Sequence, residues 1–222
     1  MLDAIAARRS IRKFKNTPVP RHIIEEIIKA GAIAPSSKNR QPWHFVVTTG
    51  KAKKEALAAM EQGLRREAQQ PLLPESAQYI AGAWNTLAIM RQAPVIIFVV
   101  NPLGLDLLTP QNAENRVFEI CNAQSIGAAV ENMSLAAIEN SLGSLWICDI
   151  YFAYRELCTW LNCGGELAAA FALGYAGEAP MPRPAKILMI LLNGVNKQCV
   201  SWFMRLAFFI AILRLLWTIK TY

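Results

Sequence analysis

Two stretches decide how this chain is read: Arg8-Arg9-Ser10-Ile11-Arg12, and further along Ala34-Pro35-Ser36-Ser37-Lys38-Asn39-Arg40-Gln41-Pro42-Trp43. The first places three guanidiniums and a hydroxyl within five residues, straddling the end of a short helix expected over 2–9. A planar guanidinium grips a phosphate or a carbonyl edge with two parallel donors. Ser10-Ile11-Arg12-Lys13-Phe14 reads as extended, so Ser10 and Arg12 face the same way and can address one ligand. Taken alone, Arg8 and Arg9 also fit a plainer role, complementing the helix dipole in water. The second stretch is a proline-pinned loop with two hydroxyls, two amides and two cations. Ser and Asn bonding their own backbone would explain part of it, but not the full order of residues.

Outward from these stretches, the pattern alternates helices with few strands. Ile23, Ile24, Ile27 and Ile28 recur at helical spacing, with Gly31 expected as the stop. Trp43 to Thr49 predicts a strand, residues 51–70 a charged helix, and 71–83 an irregular stretch. A helix from about Trp84 to Gln92 follows. The apolar run Pro94-Val95-Ile96-Ile97-Phe98-Val99-Val100 predicts a strand buried on both faces. Pro110 to Ser141 predicts one long helix, apolar nearly all round from Val117 to Ile138, which belongs in a core or a subunit interface. Ser144 to Cys148 predicts a strand, Tyr151 to Leu161 a helix, and Leu167 to Tyr175 a strand. The expected fold class is α+β.

The 222 residues suit one well-filled domain. Charged residues at 18% against 54% hydrophobic exclude polar disorder. A net charge of +7 favours anionic small ligands and is too small to argue for nucleic acid. His22 and His44 are the only histidines, which excludes a His-rich metal centre, and both read as surface or strand residues rather than catalytic groups. Five cysteines, an odd number without scaffold density, point to a reducing compartment and a cytoplasmic location. Cys158 and Cys163 form neither a CxxC pair nor part of a zinc set, and read as buried small hydrophobes. No dinucleotide or P-loop glycine motif is present.

The two opening stretches together resemble the FMN-dependent nitroreductase family. Gln92-Ala93-Pro94-Val95-Ile96-Ile97-Phe98 is similar to that family's central strand, and Leu142-Gly143-Ser144-Leu145-Trp146-Ile147 to its loop beside the flavin. Gly174-Tyr175 and Pro182-Arg183-Pro184 match its late segment. The resemblance runs from about residue 2 to 186, giving an FMN-binding domain over 1–186 and an atypical hydrophobic tail over 187–222. It implies a small central mixed sheet flanked by helices, a long buried interface helix, and a homodimer with FMN at the interface. Arg8, Arg9, Ser10 and Arg12 would hold the flavin's phosphate, ribityl chain and pyrimidine edge. Pro35, Ser36, Ser37 and Asn39 would reach the same flavin from the other subunit. Trp146, Ile147 and Cys148 would line the isoalloxazine, mostly by backbone, and Arg183 would return to the phosphate. Many relatives carry Gly where this chain has Cys148.

The implied activity is an oxidoreductase in which NAD(P)H delivers hydride to flavin N5 and an electron-poor small molecule, such as a nitroaromatic or quinone, then takes it. No acid–base side chain is obligatory. The alternative is a flavin-binding or electron-carrier protein without efficient NAD(P)H turnover. After Lys186 the chain departs from the family pattern. Cys199 to Trp217 carries only Arg205 and Arg214 as charges. Out-of-frame translation is the first reading of this tail, an amphipathic or dimer-clasping helix the second. A membrane span ranks third, because Arg205 sits well inside and costs roughly 2.5–3.5 kcal/mol at the centre of a span.

Overall fold

The computed structural model describes residues 3–183. Through Pro180 they form one body; Met181–Tyr222 make up a second unit, of which Met181, Pro182 and Arg183 are described. The expectations for 187–222 fall outside the described residues. Among the described residues no helix is long and apolar enough to cross a membrane.

The body is built on four strands, β1 (His44–Thr48), β2 (Val95–Asn101), β3 (Gly143–Ile147) and β4 (Glu166–Gly174), in the order β1-β2-β4-β3. Every strand pair is antiparallel, where a mixed sheet was expected. Among the described residues, parallel pairing is confined to a single bridge between Ser10 and Ser144. The reason lies in the connections: each strand returns beside a neighbour running the other way, and the long crossover after β2 ends on β3 at the sheet edge.

β2 is buried at every residue, as its unbroken apolar run requires. Its side chains alternate between two cores. Ile96, Phe98 and Val100 join one core with Leu145, Ile147, Ala170 and Ala172. Helices α3 (Gly50–Gln69), α4 (Ile80–Gln92) and α6 (Tyr154–Leu161) supply Met60, Leu64, Leu87, Met90 and Leu157 to it. Val95, Ile97 and Val99 join the other, with Phe171 and Leu173, against α2 (Arg21–Ala32) and α5 (Ala113–Glu139). The register shifts between Val99 and Val100, so that Leu167 faces the same core as Ala170. A short α1 (Asp3–Ala7) opens the chain.

Most elements lie within a few residues of their expected bounds. Gly31 is a correction. The helix runs through it to Ala32, and a Cβ at Gly31 would lie 2.8 Å from Met133 Cγ of α5. Its small size serves helix packing rather than termination. The stretch expected to be irregular is partly a 3-10 turn, Pro74–Tyr79, and α4 starts at Ile80 rather than Trp84. The long helix spans 27 residues, and its inner face is Ile126, Ala129, Val130, Met133 and Ala137. Val117 and Ile120 on it are exposed.

Two predictions follow from this packing. Gly63 of α3 lies where a Cβ would sit 2.4 Å from Ala153 Cβ and 2.5 Å from Ala153 Cα. In a free helix Gly→Ala gains about 1 kcal/mol; here Gly63→Ala should lose about 1–3 kcal/mol, read as a lower urea midpoint. Glu166 opens β4, where Asn101 Nδ2 donates to Glu166 Oε2 at 3.4 Å. Burial, and then the charge of Glu119 on α5, pushes the Glu166 carboxyl up to about 7. The folded chain thus keeps this proton to higher pH than the unfolded chain, whose Glu titrates near about 4.3. Its contribution to stability is present below about pH 4.3, is lost as pH rises to about 7, and is level above. Glu166→Gln should raise the urea midpoint at pH 8 relative to wild type and flatten the fall between pH 5 and pH 8.

Candidate functional site

The arginine cluster leaves α1 and is laid against the sheet. Ile11 N–H donates to Ser144 O at 2.9 Å, Lys15 N–H to Tyr175 O at 2.9 Å, and Gly177 N–H to Lys13 O at 2.8 Å. Ile11 and Phe14 point into the core, both under a tenth exposed. Ile11 turns its two neighbours, the half-buried Ser10 and Arg12, to the other side, while Phe14, three residues on, does not keep the alternation. Gly143 has no side chain because Ile11 occupies its place: a Cβ there would lie 2.7 Å from Ile11 Cγ1. Glu178 clamps the segment from below, its carboxylate accepting both Arg12 N–H and, at 3.1 Å, Lys13 N–H.

The three guanidiniums are held differently. Arg8 pairs with Glu131 of α5 at 3.3 Å, with both side chains partly exposed. Arg9 Nη1 donates to Ala6 O at 2.8 Å and to Arg8 O at 2.6 Å. Arg12 Nη1 donates to Ser10 O at 3.2 Å. The Arg9 and Arg12 guanidiniums are thus oriented by backbone carbonyls, and among the described residues neither guanidinium forms an ion pair, the Glu178 carboxylate meeting Arg12 only at its main-chain N–H. Their charge is positioned without being neutralised, which is what an anionic ligand needs. A cleft of about 290 Å³ is lined by Arg9, Ile11, Leu142, Gly143, Ala176 and Glu178 among others; Arg8, Ser10 and Arg12 do not line it. A roomier groove of about 570 Å³ between α3 and α6 contains none of the expected site residues.

The proline-pinned loop docks on α5 at a different place. Ser37 N–H donates to Ser125 Oγ at 3.2 Å, and Arg40 lies over the Phe118 ring at 4.4 Å. Ser36 O and Oγ accept from Asn39 N–H and Gln41 N–H, both at 3.0 Å. Lys38, Asn39 and Gln41 all take left-handed backbone angles, with φ of 54°, 52° and 50°. Such angles cost non-glycine residues of order 1–3 kcal/mol where the surroundings hold them, and they cluster at functional sites. Pro35 and Asn39 are exposed, Ser36 and Ser37 half-buried. Among the described residues this loop makes no hydrogen bond to the arginine cluster; within one chain, the two clusters dock on α5 at Ser125 and at Glu131.

At the outer end of β3, Trp146 is 42% exposed and rests near Gly127, where a Cβ would lie 3.4 Å from Trp146 Cη2. Ile147 is buried in the core, so only its backbone can face a ligand. Cys148 is exposed, with φ −106° and ψ −12°, a conformation open to any residue. The backbone there does not demand glycine. Partial burial and the Asp149 charge push the Cys148 thiol up, away from nucleophilic use. Arg183 is exposed and belongs to the second unit. His22 and His44 are exposed, on α2 and at the start of β1.

The sequence reading missed Glu178, Ser125 and Glu131. Each acts by holding a backbone or an arginine, and no local pattern marks such a role. Glu178→Ala should leave two main-chain N–H groups without their acceptor, cost about 1–2 kcal/mol, and speed hydrogen exchange at Arg12 and Lys13 while leaving β2 amides protected.

Comparison with known proteins identifies the family. The model of the Nitroreductase family matches residues 5–175. The Bacillus subtilis protein YfhC, named as an NAD(P)H nitroreductase, is 25% identical over 180 residues, covering 80% of this chain and 85% of its own. A BluB-like flavoprotein of Clostridium difficile superposes with a TM-score of 0.71 at 27% identity, covering 87% of this chain and 98% of its own. A nitroreductase of Desulfovibrio desulfuricans, solved in complex with FMN, superposes with a TM-score of 0.63 at 28% identity, covering 88% and 96%. With the arginine segment, the sheet and the long helix all inside the matched region, this chain belongs to the Nitroreductase family.

Proposed function

We propose that this protein is an FMN-dependent oxidoreductase that passes hydride from NAD(P)H to an electron-poor acceptor such as a nitroaromatic or a quinone. The observation that carries the reading is the pair of guanidiniums at Arg9 and Arg12, oriented by carbonyls, in no ion pair among the described residues, and fixed at the edge of the sheet. The donor set suits FMN: guanidiniums and a hydroxyl for a phosphate dianion and a pyrimidine edge, with Arg9 lining an open cleft. Family membership and the FMN-bound relative support the choice of flavin.

Bound FMN would supply the two-electron chemistry at this site. The chain's own residues bind and orient. Arg8, Arg9, Ser10 and Arg12 would hold the phosphate and the polar edge from one subunit. Pro35, Ser36, Ser37 and Asn39 would approach from the other, in a homodimer. The separate docking places of the two clusters on α5 support that division, as do the exposed Val117 and Ile120. Trp146, the Ile147 backbone and Cys148 would line the ring, and Arg183 would join the phosphate. The odd count of five cysteines, without scaffold density, supports action in a reducing cytoplasm.

The test is flavin content and anaerobic reduction. Purified protein should be yellow and bleach rapidly with NADH or NADPH. Arg12→Ala should lose a charge-assisted hydrogen bond of about 1.5–3 kcal/mol, and so weaken FMN retention roughly tenfold to a hundredfold. Ser10→Ala should weaken it less. Full flavin in both variants would overturn the site assignment. A yellow protein that neither nicotinamide bleaches would instead favour a flavin carrier.

A further inference from the structure

Helix α6 ends in a Schellman motif whose two meeting side chains are both cysteines. Asn162 turns left-handed, with φ 51° and ψ 51°. Its N–H donates to Thr159 O at 3.3 Å, and Cys163 N–H donates back to Cys158 O at 3.0 Å. This six-to-one bond joins the two positions whose side chains pack together in the motif. A disulfide needs Cα atoms roughly 4.4–6.8 Å apart, and the two side chains here are near enough for the Cys163 thiol to act directly on Cys158. Both cysteines are free and half-buried, and both pack against the core on the α3/α4/α6 side. They pack on the core as the sequence reading of buried small hydrophobes expects, but stay half-buried rather than enclosed. A pair of thiols brought together by the backbone and still reachable from solvent has the makings of a redox site.

We propose that Cys158 and Cys163 form a reversible dithiol–disulfide couple, oxidised by a small-molecule disulfide of the glutathione type. The Cys158 thiolate attacks one sulfur of the reagent, whose S–S bond breaks. One thiolate leaves and takes up a proton, and a mixed disulfide remains on Cys158. Cys163 then gives its proton to solvent and attacks Cys158 Sγ. The Cys158–Cys163 bond forms and the second thiolate leaves. The protein loses two electrons and two protons, and the reagent gains them as two thiols. The order follows from the environment. A hydrogen bond from Cys163 holds the Cys158 thiol below its ordinary range, while the same contact and burial push the Cys163 thiol up. Cys158 is the attacking residue and Cys163 the resolving one. The bond would staple the last turn of α6 to the turn that leads into β4. Gly165 in that turn sits so close to the end of β2 that a Cβ there would lie 2.2 Å from Asn101 O.

The experiment uses the folded full-length chain and oxidised glutathione, followed by acid quench, alkylation and tryptic mass spectrometry. No Lys or Arg lies between Arg155 and Arg183, so both cysteines fall in one peptide. That peptide should lose two hydrogens, carry neither alkyl group nor glutathione, and regain both thiols with dithiothreitol. Cys163→Ser should trap glutathione on Cys158. Cys158→Ser should leave Cys163 modified about tenfold more slowly. Alkylation of both thiols in the wild-type peptide, or one glutathione on each without a bridge, overturns the proposal.

Discussion

The backbone hydrogen bond from Ile11 N–H to Ser144 O, 2.9 Å long, ties the N-terminal segment to the outer edge of the sheet. Three features make that contact specific. Ile11 fills the space a side chain at Gly143 would need. Phe14 bridges to Ala176 at the end of β4. Glu178 takes the N–H groups that the edge leaves over at Arg12 and Lys13. With Ile11 drawn inward, its two neighbours Ser10 and Arg12 turn to the other side, and the cluster becomes a surface of fixed geometry. An arginine on a free terminus would lose much of its binding energy to ordering.

α5 is the second element on which the site depends. One stretch of it takes the loop through Ser125 and Phe118, and another pairs with Arg8 through Glu131. The helix is rigid over 27 residues, so the spacing between the two clusters is set by its rise and not by loop conformation. Gly31 and Met133 bring α2 close enough for the loop that follows α2 to be aimed by the same packing. The three left-handed residues in that loop store strain that Ser125 and the Ser36 hydrogen bonds hold in place.

The elements themselves were legible because their signals are local. The apolar run of β2, the absence of Pro between Pro110 and Ser141, and the extended residues after Arg9 each have one physical reading. The antiparallel pairing of the whole sheet was not legible, since strand order is decided by contacts between residues far apart in sequence. Gly31 misled because a glycine near the end of a helix signals a stop and a packing contact equally well. At the candidate site, Arg8 to Arg12 and Pro35 to Asn39 stood out by density of polar groups. Glu178 did not, because a lone carboxylate after Gly177 carries no pattern until the fold brings it beneath Arg12. The Cys158–Cys163 spacing was silent for the same reason: its meaning depends on the left-handed turn at Asn162.

The central claim is that one flavin site is assembled from the arginine cluster of one subunit and the proline-pinned loop of another. Subunit complementation tests it most directly. Chains carrying Arg12→Ala and chains carrying Asn39→Ala are co-expressed with different tags, the mixed species is isolated, and its FMN content is measured against each variant alone. If the site is shared, a mixed dimer combines both defects in one site and restores the other, so its flavin content rises above that of either homodimer, towards one FMN per dimer. Flavin content in the mixed species no higher than the average of the two variants would contradict the claim and place each site within a single chain.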